Sequence, residues 1–345
     1  MAEQAGRTAS RKAEHLRINL DDDVQSGVST GLERWRFVPL ALPDLDLDDI
    51  DTNTTFLEYR LQAPFLVSCM TGGTSEATAI NQVLARVAQA RGIALGLGSG
   101  RALLEDPGSL ASFEVRDLVP SVPLLANLGA IQLLRGVSAD DCNRLVELLR
   151  ADALVLHLNA LQEALQEGGD VNFSGLLPAI ESLSGALRVP LLVKEVGWGI
   201  PPDDVQRLFG AGVAAVDVAG AGGTSWSEVE RHRTGAGTAA AAAAFRDWGL
   251  PTADAVRRAR EASPGGTIIA SGGILDGLQA AKAIGLGADM VGVAGPFLRA
   301  AATGEGEAMN LAGALADGLR VAMFCTGCGS VEKLRGTPRL EPVPV

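Results

Sequence analysis

The chain has 345 residues, 47% of them apolar, with 42 glycines, a single tyrosine and a formal net charge of −12. That acidity argues against nucleic acid or an anionic membrane as partner, because both demand clustered positive charge. An anionic small substrate must then meet a local basic pocket set within a repulsive field.

In chain order, the first sixty residues precede the repeating part. MAEQAGRTASRKAEHLR lacks the apolar core of a signal peptide, and no run in the chain is long and apolar enough to span a bilayer. Arg11 and Lys12, with Glu14 and His15 just after, sit in a polar segment that alone reads as a disordered, solvated tail. The acidic stretch 44–51 reads as a solvated cover over the strand N-termini. Eight short apolar runs follow at 64–69, 93–97, 123–127, 153–158, 190–194, 214–218, 267–270 and 290–294. Helical periodicity lies between them, as at 79–90, 140–150 and 279–284. Near-continuous apolar strands alternating with helices predict a parallel sheet covered on both faces, and eight units predict closure. The expected architecture is an α/β protein, a (β/α)8 TIM barrel over 61–345, with an N-terminal extension over 1–60 and a long insert after strand six. An open doubly wound sheet usually carries one glycine fingerprint after its first strand, whereas here the glycines follow several strands.

The insert runs from about residue 224 to 251. It holds a charged, helical piece at 227–233, with His232 on its surface, and then an alanine-rich helix. Long loops at the C-terminal face of such a barrel shape or close the active site. Near the end, Cys325 and Cys328 form a lone C-x-x-C with no second pair at zinc spacing. They read as small buried thiols near a helix end, and four cysteines in all fit a reducing cytoplasm.

The strand ends carry the chemistry. Ser271, Gly272, Gly273 and Ile274 close one late strand, and Val293, Ala294, Gly295 and Pro296 close the next. A short strand opening into a glycine turn before a helix leaves backbone N–H groups free, and glycine lets an anion approach them closely. With Lys194 ending an earlier strand to supply positive charge to a ring system, the pattern points to flavin mononucleotide, FMN. Lys194 and Glu195 should face opposite ways, one into the barrel and one toward the helices. A Lys–Glu pair across barrel layers and a Schiff-base lysine are the other readings of Lys194. His157 and Asn159 share a strand face, with Gln162 and Glu163 in the loop beyond. Glu163 reads equally as a Mg2+ ligand, completed by substrate phosphate oxygens, or as an acid near a helix start. Arg101 and the pair Arg11 and Lys12 are the candidate phosphate cations.

Taken together these motifs resemble the type 2, FMN-dependent isopentenyl diphosphate isomerases over nearly the whole length. The resemblance covers R-K-A-E-H at 11–15, F-L-V-S-C-M-T-G-G at 65–73, G-S-G-R at 98–101, A-N-L-G-A at 126–130, H-L-N-A-L-Q-E at 157–163 and V-K-E-V-G at 193–197. It continues through D-V-A-G-A-G-G-T-S-W at 217–226, W-G-L-P-T at 248–252, A-S-G-G-I at 270–274 and V-A-G-P at 293–296. The last two turns are common to many FMN barrels, whereas R-K-x-E-H with H-L-N-x-L-Q-E is far more specific. The resemblance implies isomerisation of isopentenyl diphosphate to dimethylallyl diphosphate by reduced FMN with Mg2+, NADPH serving as reductant, in a cytoplasmic homo-oligomer, tetramer or octamer. It places FMN contacts on Thr71, Gly72, Gly73, Ser99, Asn127, Lys194, Thr224, Gly272, Gly273, Ala294 and Gly295. Substrate contacts fall on Arg11, Lys12, Ser99, Gly100, Arg101, His157 and Gln162, with Glu163 on Mg2+. The catalytic set is Gln162, His157 and Lys194, with the reduced flavin N5 as proton shuttle. Three positions depart from the family pattern: Gly100 stands where Gln is frequent, Ala160 replaces Pro, and Leu275 replaces Arg. Gly100 removes a polar side chain from the expected diphosphate site.

Two rival functions remain. An FMN-dependent 2-hydroxy acid oxidase or dehydrogenase needs a histidine base late in the barrel, and this chain has no histidine after His232. A non-catalytic flavin-binding protein would keep the glycine turns but leave R-K-x-E-H without a purpose.

Overall fold

The computed structural model describes every residue except Met1, Thr71, Thr74, Asp106, Thr234 and Val345. Side chains are not described for residues 2–10, Ser75, Pro107, Ala236 and Gly237. Eight parallel strands close into a barrel in sequence order. We number them β1 (Phe65–Val67), β2 (Ala94–Ser99), β3 (Leu124–Gly129), β4 (Ala153–His157), β5 (Leu191–Lys194), β6 (Ala215–Asp217), β7 (Thr267–Ala270) and β8 (Met290–Val293). Each of the eight predicted runs coincides with one of them, β2 and β3 running two residues further. Most strand positions are buried, as a parallel sheet packed on both faces requires. The expected helices also form, at Ser75–Arg91, Ala139–Leu149 and Gly277–Gly285. Ser138 and Asp141 start the second with a reciprocal capping box, and Asp276 caps the third through the Gln279 N–H.

Two carboxylates at the strand starts tie neighbouring strands together. Asp152, just before β4, accepts the Leu124 N–H of β3 at 2.8 Å and pairs with Arg116 at 2.7 Å. Asp289, just before β8, accepts the Ile268 N–H of β7 at 2.8 Å and pairs with Arg260 at 2.6 Å. A one-residue slip would break both bonds and turn every following side chain to the wrong face. The resulting register sets Gly129, His157, Lys194 and Asp217 side by side at the C-terminal ends of β3, β4, β5 and β6.

The segment before the barrel departs from the sequence expectation. Residues expected as a disordered tail form a helix, Ala2–Asp21, which packs on the helices Arg101–Glu105, Trp226–Arg233 and Gly295–Thr303. Leu16 and Ile18 are buried, and Ile18 packs with Val24 and Val229. Val229 lies some two hundred residues away, so local composition gives no sign of this packing. Gln162 and Glu163 likewise lie in a short helix, Ala160–Leu165, rather than in a loop. The insert forms two helices, Trp226–Arg233 and Ala236–Ala243, at the same end of the barrel as the N-terminal helix. Cys325 ends the helix Glu305–Cys325 and Cys328 lies just beyond; Cys328 is buried as expected, whereas Cys325 is only half-buried. Among the described residues no helix is long and apolar enough to cross a membrane.

Candidate active site

One large cavity opens at the C-terminal ends of the strands. Its wall holds Arg11, Lys12, Ser99, Arg101, Asn127, His157, Gln162, Glu163, Lys194 and Thr224, together with Gly72, Gly272, Gly273, Ala294 and Gly295. Gly73 and Gly100 are not part of the wall, and Thr71 lies outside the described residues. A Cβ on Gly73 would sit 2.9 Å from the Lys12 ammonium, so this glycine gives the lysine its path. A Cβ on Gly100 would sit 2.6 Å from Leu145 Cδ1, in a fully buried part of the core. The missing side chain is therefore directed at the helix Ala139–Leu149, away from the cavity.

At the floor, Lys194 and Glu195 diverge as strand geometry demands. The Lys194 ammonium lies in the cavity wall and donates to the Glu195 carbonyl. The Glu195 carboxylate turns the other way and accepts the N–H groups of Val196, Gly197 and Trp198 at 2.6 to 2.7 Å. Burial pushes its carboxyl up to about 7, against the opposing pull of those three donors and Lys194. The loop after β5 is thereby held in place beside the lysine. Asp217, buried under Lys194's neighbourhood, accepts from Ser271 at 2.6 Å, and burial raises its carboxyl above the usual range.

His157 is the next group along the floor. Its Nδ1 lies 2.9 Å from Asn127 Oδ1. Burial first, then the positive charges of Lys194 and Lys12, lower its pKa to about 3. The ring is therefore neutral at ordinary pH, with Nδ1–H donating to Asn127 and Nε2 left as an acceptor. Gly129 makes the space: a Cβ there would stand 3.2 Å from Nε2.

The cationic rim comes from two distant parts of the chain. Lys12 donates to the Ser99 carbonyl at 2.7 Å and lies 5.5 Å from the centre of the Phe113 ring. Burial, then Arg11, lowers its pKa to about 8, so it stays mostly charged near neutral pH. Arg101 is held by Glu105 at 2.7 Å. Burial and Arg101 lower the Arg11 pKa. Three cations brought this close favour an anion of more than one charge between them.

Opposite them, the insert supplies a residue the sequence did not single out. Glu230 is fully buried and accepts from Gln162 at 3.1 Å, while His15 Nε2 stands 3.1 Å from the same oxygen. Burial raises the Glu230 carboxyl, but the bond and charge of His15, with Gln162 and Arg233, bring it below its ordinary value. Trp226, edge-on to His15 at 5.2 Å between ring centres, adds an apolar wall to the cavity. Glu230 belongs to the charged piece at 227–233, in which His232 is exposed as expected. Trp226 closes the D-V-A-G-A-G-G-T-S-W motif, whereas the signal for Glu230 in the sequence is its place in the insert after the glycine-rich turn at 220–223.

The chain's own residues fit a flavin phosphate. The turn N–H groups of Gly272, Gly273 and Gly295 donate to no acceptor among the described residues. Gly272 has φ +104, and a Cβ there would lie 2.0 Å from the Gly220 carbonyl oxygen, so only glycine serves. They also fit one hard cation beside a phosphate. Glu163 accepts from Asn159 at 2.9 Å and from the Asp170 N–H at 2.8 Å, while Asn159 Oδ1 is buried with no hydrogen-bond partner. Among the described residues no cluster of three or more His, Cys, Asp or Glu could hold a metal alone. A cation here would take oxygen ligands from the substrate as well.

A family model described as FMN-dependent dehydrogenase matches residues 160–339. The chain is 47% identical over 339 residues to a relative from Nostoc sp. (strain PCC 7120) named isopentenyl-diphosphate delta-isomerase, covering 98% of this chain and 97% of that one. A relative of the same name from Rickettsia bellii (strain RML369-C) is 46% identical over 97% of this chain and 98% of its own. Among solved structures, a mandelate oxidase variant with a monooxide FMN adduct aligns with TM-score 0.65 at 20% identity over 98% of both chains. Mandelate oxidase with (S)-2-phenylpropionate aligns with TM-score 0.65 at 21% identity, over 98% of this chain and 97% of the other. At that identity the structures share the fold.

Two outcomes follow from this geometry. The folded His157 pKa of about 3 lies below the ordinary 6.5, so between those values the unfolded chain holds a proton that the folded chain does not. His157's contribution to stability is then complete above pH 6.5 and declines as pH falls toward 3. Ring-nitrogen NMR at pH 5 should show His157 neutral; a protonated ring with a midpoint near 6.5 contradicts this environment. Gly100→Gln should destabilise the fold by about 1–3 kcal/mol through overpacking against Leu145. A variant as stable as the parent in urea would show that position 100 has room.

Proposed function

The chain belongs to the isopentenyl-diphosphate delta-isomerases, and on that premise we propose that this cavity converts isopentenyl diphosphate to dimethylallyl diphosphate by a 1,3-allylic proton shift, with reduced FMN and Mg2+ bound. The observation that carries the reading is the pairing of two anion-binding edges on one cavity. Free turn amides of β7 and β8 suit a cofactor phosphate, and the rim of Arg11, Lys12 and Arg101 suits a second, more highly charged group.

When bound in its reduced form, FMN would supply an electron-rich ring suited to acid–base chemistry at carbon. The chain's part is to hold and orient. Lys194 presents a buried positive charge to the ring edge where negative charge accumulates. The Glu195 carbonyl fixes the ammonium, and the Glu195 carboxylate fixes the loop that follows. Arg11, Lys12 and Arg101 take the diphosphate, with Ser99 beside them. His157 Nε2, an acceptor in the neutral ring, takes a proton when the anion arrives and becomes a donor to it, because a bound anion favours the charged imidazole. Glu163 would hold the Mg2+, which would supply positive charge to the diphosphate.

Gln162 stands between cavity and insert, its carbonyl accepting from Asn159 at 3.1 Å and its amide donating to Glu230. Both ends of the amide are thus fixed, which orients it toward the prenyl carbons. Trp226, Leu16 and Val196 give those carbons apolar wall. The net reaction involves no redox change, so the side chains need only position groups and handle protons. A 2-hydroxy acid oxidase on the same barrel lacks support here. The β7 end carries Ser271 and two glycines, with no histidine base.

Anaerobic incubation with FMN, NADPH, Mg2+ and isopentenyl diphosphate should yield dimethylallyl diphosphate, and oxidised flavin without reductant should not. Lys194→Ala should lose flavin retention and turnover together. Product formation without flavin, or none with FMN bound and reduced, would overturn the reading. Glu163→Gln should shift the Mg2+ titration of activity to higher concentration by roughly tenfold or more, the scale of one lost charged ligand. An unaltered Mg2+ curve would remove Glu163 from the metal.

A further inference from the structure

We propose that Arg299 is the counter-charge of the flavin phosphate, a cofactor-specificity residue that lets this site distinguish FMN from unphosphorylated flavin. The inference rests on the FMN reading above and adds a residue to it. Arg299 belongs to the helix Gly295–Thr303, one turn past the glycine that opens it. Helical side chains tilt toward the N-terminus, so a residue at i+4 reaches back over the first turn. The structure shows this reach: a Cβ on Gly295 would lie 3.2 Å from Arg299 Nη1, and Arg299 lines the cavity. The guanidinium therefore sits beside Gly295, whose N–H has no acceptor among the described residues.

Three further observations single this residue out. Among the described residues, no carboxylate or other acceptor engages the Arg299 guanidinium. Of the other cations of the wall, Lys12 donates to the Ser99 carbonyl, Arg101 to Glu105 and Lys194 to the Glu195 carbonyl, while Arg11 is carried by the N-terminal helix with the rim assigned to the substrate. The turn after β7 brings Leu275, an exposed apolar side chain, to the cavity edge, so that turn contributes amides and no charge. A phosphate near −2 entering a protein of net charge −12 needs a local cation, and turn amides alone give only partial charges. A guanidinium also offers planar paired donors that match phosphate oxygens.

The test titrates FMN and riboflavin separately into the full-length apoprotein and follows flavin fluorescence. The parent should prefer FMN. Arg299→Met, which keeps the length of the side chain, should weaken FMN binding roughly ten- to hundredfold, the scale of one lost charge-assisted hydrogen bond. Riboflavin affinity should be unchanged, and Arg299→Lys should recover part of the FMN preference. Equal losses for both flavins would mean a structural role, and an unchanged FMN affinity would place the phosphate elsewhere; either overturns the inference. A variant with parental flavin binding but a raised KM for the diphosphate would assign Arg299 to the substrate and also overturn it. A parent that binds neither flavin would defeat the FMN reading itself, and Arg299's role with it.

Discussion

The site depends on the strand register at the C-terminal end of the barrel. Gly129, His157, Lys194 and Asp217 stand on adjacent strands at one level, and that level decides their chemistry. The lysine charge beside His157 helps keep the imidazole neutral. The glycine beside His157 leaves the ring its volume. The Lys194 charge favours the Asp217 carboxylate in a region where an isolated charge would cost several kcal/mol. The register is held at the far end of the strands by Asp152 and Asp289, each bonded to an N–H near the start of a neighbouring strand. Groups at the bottom of the barrel thus position groups at its top.

On this floor two separate segments build the walls. The N-terminal helix carries Arg11, Lys12 and His15, and the insert carries Trp226 and Glu230. They meet through the His15–Glu230 bond and the pair of Arg233 with Glu14 at 3.2 Å. An acidic protein thereby concentrates positive charge where a diphosphate would sit, and confines the balancing carboxylates to places behind it. Glu230 faces Gln162, Glu105 faces Arg101, and Glu163 is the carboxylate left in the wall. The arrangement answers how a chain of net charge −12 can bind a polyanion.

Much of this was legible in the sequence, for identifiable reasons. Short apolar runs at regular intervals gave all eight strands because a buried parallel strand has almost no other composition. The glycine turns after β7 and β8 declared themselves because no other residue fits at Gly272. The divergence of Lys194 and Glu195 follows from strand geometry alone. The order in the first helix did not show, because its partners lie in the insert and its own composition is polar. Glu230 stayed hidden for a related reason: charge alternation along a helix looks solvated whether the helix faces water or another helix. Gly100 looked like a loss to the diphosphate site, yet its Cβ direction leads into Leu145. Sequence gives residue type and order; direction needs the packed neighbour.

We propose that one cavity holds two phosphate groups at separate edges, with Lys194 and His157 on the floor between. A crystal structure of the reduced holoenzyme with FMN, Mg2+ and isopentenyl diphosphate tests it most directly. The account predicts the flavin phosphate on the amides of Gly272, Gly273 and Gly295, and the diphosphate on Arg11, Lys12 and Arg101 with Mg2+ at Glu163. A diphosphate seated on the glycine turns, or a flavin phosphate on the N-terminal helix, would contradict it.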